Sequence, residues 1–272
     1  MRLPVMRAAL WRCLAALIML GGAVPSRAQQ AEGPARDTLR RAWLGADYTL
    51  TAFDGGSIDP WHLASLSLTG KGERGAVVGR VNHARRFARS GLQYEVDAYP
   101  RFGRTWNAYF NVGYGAASVF PQWRGGAELY AELPNAWESS FGIRQLRFSG
   151  SPVTLWTGTI AKYSGNYWIS LRPYFRSTTN GNSTSANLTA RRYFADGDHF
   201  IGARLGYGST PSDLLTADQV ARTNSFSGDV HGSLDVIRDL LGTWTVGYDH
   251  EALADGSIRK SWIVEAGLKV RL

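Results

Sequence analysis

The sequence predicts an all-β fold: an up-and-down antiparallel transmembrane β-barrel of about fourteen strands, with twelve as the smaller alternative. Three observations carry this. Apolar and polar residues alternate with period two from Trp43 to Leu272, in runs often eleven or more residues long, whereas strands of globular sheets centre on about five or six. The chain holds 10 Trp, 12 Tyr, 11 Phe and 31 Gly, and the apolar side of the runs uses small and aromatic residues in place of an Ile/Leu/Val core. Tryptophans also gather near run ends, at Trp43, Trp61, Trp106, Trp123, Trp137, Trp244 and Trp262, which suits two interfacial girdles. A soluble sandwich or barrel shares the alternation and the turn signals, but long runs, aromatic faces and end-placed tryptophans speak against it.

The first element is a segment for export. Arg2, Arg7 and Arg12 precede the apolar stretch Leu14 to Val24, and Ser26-Arg27-Ala28 forms a small-x-small cleavage site, so residues 1–28 read as a secretory signal peptide. The stretch is too short to span a bilayer, which takes about 20 residues. The lone cysteine, Cys13, lies inside the signal, so the mature chain has no internal disulfide and no thiolate metal site. Removing the signal with its four arginines lowers the net charge from +8 to +4, with 26 basic and 22 acidic residues. That balance gives no support to a nucleic-acid partner. Residues 29–42 read as a polar periplasmic leader, and the barrel fills 43–272.

The strand runs then follow in order at 43–53, 61–70, 75–87, 91–100, 105–115, 123–133, 137–149, 153–163, 167–177, 183–194, 199–208, 224–236, 242–253 and 258–272. Gly, Asn, Asp, Ser or Pro clusters separate them. Even-numbered connections are short, as in RFGR at 101–104 and SGN at 164–166, while the odd set includes 54–60, 116–122 and the longest, 209–223. Membrane barrels have short periplasmic turns and longer outer loops, so both termini are expected in the periplasm of an outer-membrane protein.

Hydrocarbon offers no hydrogen-bond partners, so a spanning sheet must close and turn its apolar side outward. In 105–115 this assigns Trp106, Ala108, Phe110, Val112 and Tyr114 to lipid, with Asn107, Tyr109, Asn111 and Gly113 inside. In 123–133 it places Arg124, Glu128, Tyr130 and Glu132 inside. The last run, SWIVEAGLKVRL, turns Trp262, Val264, Ala266, Leu268, Val270 and Leu272 outward. It is the closing strand and the expected handle for barrel-insertion machinery.

The middle of the chain resembles a known family. WESSFGIRQLRFS (137–149), TLWTGTIAKYSGNYWISLRPYF (154–175), STSANLTARRYF (183–194) and GARLGYGSTP (202–211) look like the YaiO family of outer-membrane β-barrel proteins. The likeness covers about Trp43 to Leu272 and is strongest over 137–211. It implies an outer-membrane barrel without a settled activity. Some relatives carry helical repeats ahead of the barrel, so the resemblance implies a periplasmic repeat protein of an exopolysaccharide export system as a partner. Here the leader is short, and such a module is expected to be a separate polypeptide or absent. The final residue is Leu272 where outer-membrane barrels usually end in Phe or Trp. No catalytic residue carries over.

The inner face holds the candidate functional residues. A basic arc is expected from Arg144, Lys162, Arg172, Arg176, Arg191 and Arg204, with no inward acid between 137 and 208. An acidic arc follows from Asp229, Asp235, Asp249, Glu251 and Glu265. If the lumen is open, such arcs set a transverse field that selects solutes by charge; if closed, they pair into a plug. Tyr109, Tyr130, Trp168 and Tyr174 line the same face, where rings stack on sugars or simply fill space. Trp106, Trp123, Trp137, Trp244 and Trp262 form the girdles. His231-Gly-Ser233 puts a base and a hydroxyl on one strand face, but that face is the lumen, whereas a lipid hydrolase needs the outer one. No metal or cofactor motif appears among five scattered histidines. The expected function is a narrow passive channel for small polar solutes or saccharide chains. The alternative is a non-conducting structural or docking barrel.

Overall fold

The computed structural model describes residues 41–272 other than 57, 116–118, 149–151, 179–180, 195–196, 210–221 and 254. The signal peptide and nearly all of the leader lie outside the described residues. The rest forms fourteen antiparallel strands. They are β1 (Arg41–Phe53), β2 (Trp61–Gly72), β3 (Gly75–Arg86), β4 (Arg89–Phe102), β5 (Trp106–Gly115), β6 (Trp123–Leu133) and β7 (Trp137–Arg147). They continue as β8 (Pro152–Ser164), β9 (Tyr167–Thr178), β10 (Gly181–Tyr193), β11 (Phe200–Gly208), β12 (Arg222–Ile237), β13 (Leu240–Leu253) and β14 (Ile258–Arg271).

Each strand pairs with its sequence neighbours, and β14 returns to pair with β1, so the sheet has no free edge. The seam is in continuous register from Trp43↔Arg271 to Phe53↔Ser261. One rim carries the start of β1, the end of β14 and the connections 73–74, 103–105, 134–136, 165–166, 194–199 and 238–239; it is called the terminal rim below. At the loop rim β1, β5 and β11 end, and β3 and β4 are joined by a tight two-residue turn at Phe87 and Ala88. Both turn residues sit at positive φ, 51° and 57°, the backbone that a two-residue hairpin with right-twisted strands demands.

Ladder parity and exposure assign the faces. Exposed Leu66, Val96, Phe110, Val112, Phe141, Ile160, Leu188, Val230 and Val264 lie on one side, while buried Asn82, Gln93, Glu95, Asp97 and Glu128 lie on the other. The barrel is thus apolar outside and polar inside, the inverse of a soluble one, as hydrocarbon requires. The predicted girdle residues Trp106, Trp123, Trp137, Trp244 and Trp262 all occupy outward positions. Trp43 and Trp61 do not: Trp43 faces the lumen with the Arg271 guanidinium 4.7 Å above its ring, and Trp61 is buried inside at 6% exposure.

Near the loop rim part of the β5–β6 connection packs onto the inner face. Val119, Phe120 and Pro121 of the β5–β6 connection are buried, and Val119 and Phe120 pack on Ala84, with Leu63 against the cluster. Gly115 permits this approach, because a Cβ there would lie 2.8 Å from Phe120 Cβ and 2.9 Å from the Pro121 carbonyl. Leu146, Phe148 and Leu155 form a second buried apolar cluster.

Candidate functional site in the lumen

From β2 to β9 the inner face is a continuous polar network. Arg80 reaches Glu95 at 3.1 Å and Asp97 at 3.3 Å, and Arg124 reaches Glu95 at 3.1 Å. Tyr109 and Asn111 donate to Asp97 at 3.0 and 2.7 Å. Asn82 donates to Glu95 at 2.9 Å and accepts from Ser65 at 2.8 Å. Glu128 is the hub of the next section. It accepts from Ser140 at 2.6 Å and from Arg172 at 2.8 Å, with Arg144 at 3.6 Å. Arg172, three strands from Glu128, also donates to the Tyr130 hydroxyl at 3.1 Å. The Arg144 guanidinium lies 5.5 Å over the Tyr109 ring and joins the two sections. Buried carboxylates of this kind persist only when ion pairs and hydrogen bonds compensate their desolvation.

The other side of the lumen is open. A cavity of about 750 Å³ runs along β10–β14, β1 and β2 toward the terminal rim. Four basic side chains line it, Lys71, Arg191, Arg204 and Lys269, against four acidic ones, Asp198, Asp229, Asp249 and Glu265. Asp229 accepts from Arg204 at 2.7 Å and is bonded to His231 Nδ1 at 2.8 Å. Arg191 donates to His231 Nε2 at 3.3 Å, so the ring presents Nδ1–H to Asp229. Gly202, between Arg191 and His231 in the ladder, makes room for this bond, since a Cβ there would lie 2.8 Å from His231 Nε2. The Arg191 guanidinium also stacks 5.3 Å over Trp168 and 4.8 Å over Phe200.

The structure places Arg144, Arg172, Arg176, Arg191 and Arg204 on the inward face. Arg176 donates to Ser183 at 3.0 Å. Lys162 is a correction: it is exposed on the outward face, in register with Trp137, with Nζ 4.8 Å over that indole. Its run carries apolar residues on both parities, Leu155 and Ala161 inside and Trp156 and Ile160 outside, so alternation alone could not orient it. The acid-free stretch is also corrected, because Glu138 lies inside opposite Glu132. Asp229, Asp249, Glu251 and Glu265 face inward. Glu251 is bound by Arg259 at 2.6 Å, and Asp235, at the terminal rim, by His199 at 2.9 Å. Tyr109, Tyr130, Trp168 and Tyr174 point inward too.

The two arcs are therefore not isolated bands of opposite sign: Arg144 and Arg172 share Glu128, and Arg204 pairs with Asp229 of the acidic arc. Sequence reasoning missed Arg80, Glu95 and Asp97. A signal was present, because Glu95 and Asp97 alternate with Tyr94, Val96 and Ala98. His231 and Ser233 share the inward face as expected, but both ring nitrogens are engaged, by Asp229 and Arg191.

Known proteins share this architecture. The CymD monoaromatic hydrocarbon channel matches at 8% identity over 87% of this chain and 90% of its own, with a TM-score of 0.57. A bacterial polysaccharide outer membrane secretin matches at 9% identity over 85% and 98%, with a TM-score of 0.53. An anion-selective porin from Comamonas acidovorans matches at 9% identity over 86% and 99%, with a TM-score of 0.46. At such identities the likeness to the first two is one of fold. No curated protein matches the chain. A family model, the YaiO membrane beta barrel domain, matches residues 42–213. That span exceeds half of the chain and contains the phrases that first suggested the family, and the closed fourteen-stranded barrel agrees with it: the chain belongs to the YaiO membrane β-barrel family.

Proposed function

We propose that the protein is a narrow outer-membrane channel for small polar solutes, saccharides among them, with its terminal rim in the periplasm and its loop rim outside. The observation that carries this reading is the cavity of about 750 Å³ bounded by balanced charges, hydroxyls and the rings of Trp43 and Phe200. A space of that size and polarity holds water and solutes, whereas a dry packed interior is apolar. Phe120 and its neighbours set the constriction at the loop rim. His231 serves here to orient charge, not to activate Ser233. A second reading, a non-conducting barrel, draws support from the ion-pair network of β2–β9.

Single-channel recording in planar bilayers separates the two. The wild type is expected to give small, stable conductance steps, and Phe120→Ala larger ones. Silence from both proteins, with folding verified by heat-modifiable gel mobility, would establish the non-conducting reading.

A further inference from the structure

We propose that the outward face of β2–β5 binds one phosphate-bearing lipid, with its acyl chain in a groove at Gly79 and its headgroup on His62, His83 and Arg85. The first observation is one of sign. Every acidic residue in the described strands turns inward by register, while the outward face carries the cations Arg85, Arg147, Lys162, Arg192 and Lys260. Bulk lipid compatibility does not require this, since Asp and Glu cost less than Arg and Lys on the lipid face of such barrels. An anionic surface does.

The second observation is a groove of about 560 Å³ on the outward face, lined by Leu66, Leu68, Val81, Tyr94, Val96 and Tyr114. It exists because position 79 has no side chain, and a Cβ added there would meet nothing within 4 Å. The third observation is alignment. Gly79, Val81, His83 and Arg85 are successive outward positions of β3. At ~3.3 Å per residue the two basic side chains stand roughly 13 and 20 Å from the glycine, toward the loop rim. Arg85 pairs across the ladder with His62, whose Nδ1 is bonded to the Tyr48 hydroxyl at 2.6 Å. A guanidinium beside two imidazoles at one end of an apolar trough matches a phosphate joined to an acyl chain. Neither half alone would select such a molecule.

The test is native mass spectrometry of the purified barrel, equilibrated with phosphatidylglycerol, lipid A or phosphatidylcholine and stripped by increasing collision energy. One phosphatidylglycerol or lipid A per barrel should survive after phosphatidylcholine has gone. Which of the two survives longer identifies the backbone, glycerol or glucosamine, and either supports the proposal. His83→Ser with Arg85→Ser should weaken retention roughly tenfold, the worth of one headgroup cation and a neighbouring hydrogen-bonding imidazole. Gly79→Leu should abolish it with Arg85 and both histidines intact. Lys162→Ser, on the opposite rim, should change nothing, and inorganic phosphate should not displace the lipid. Equal retention of all three lipids, indifference to both the double serine and the Gly79→Leu change, or displacement by inorganic phosphate would overturn the proposal. Should Gly79→Leu fail to fold by gel mobility, Gly79→Val provides the same reading. The outcome is independent of whether the lumen conducts.

Discussion

Glu128 shows what a single inward carboxylate does in this barrel. It is 3% exposed and stands between Arg172 and Arg144, guanidiniums supplied by two other strands. Glu128→Gln keeps the volume and removes the charge that faces Arg172 at 2.8 Å and Arg144 at 3.6 Å in a partly dry interior. The expected cost is about 3–5 kcal/mol, seen as a lower temperature for loss of the folded, heat-modifiable gel species. An unchanged temperature would show that water already compensates these groups. Alternation alone placed Arg124, Glu128, Tyr130 and Glu132 inside, because Gly125, Ala127, Leu129 and Ala131 leave no doubt about the outward side. It could not show that Glu128 meets Arg172, because that contact spans three strands and depends on how the barrel curves. Lys162 was misplaced because its inner neighbours Leu155 and Ala161 are themselves apolar.

At the scale of elements, fourteen strands were legible because each apolar side must repeat every second residue over a membrane's thickness. The direction of the connections was not. Nothing local in residues 119–121 says that Phe120 turns into the lumen; it does so because Ala84, Leu63 and Gly115 leave a space of its shape. The Phe87–Ala88 turn is a second case. Its backbone is one that Asn-Gly adopts readily, yet Phe87 is kept there and packs edge-on against Trp61 at 4.9 Å. Ala88 holds the same left-handed backbone, φ 57°, and bears its conformational cost. Ala88→Gly should therefore stabilise the folded barrel by roughly 1 kcal/mol, measured as a raised unfolding midpoint in urea. A lowered midpoint would mean that flexibility gained by the unfolded chain outweighs the relief at φ 57°.

For the molecule as a whole, the charges of the cavity balance, four against four. Arg191→Ala together with Arg204→Ala tips the lining to a net −2, since Asp229 loses Arg204 and the other acids remain. The reversal potential in a salt gradient is expected to move toward cation preference; no movement would place the conducting path elsewhere. The polar interior was readable from the sequence, but its balance was not, because Lys71 and Lys269 enter the cavity only once β14 meets β1 and β2.

That meeting also governs how the molecule comes together. Thr49 donates to Glu265 across 216 positions of chain, and joining such distant segments costs roughly 5 kcal/mol in loop entropy. Eleven residue pairs then zip in a single register. Until they do, the sheet is an open trough with two rows of unbonded amides that hydrocarbon will not tolerate. A fourteen-strand sheet with every other ladder formed but this seam open would therefore still be unable to rest in the bilayer.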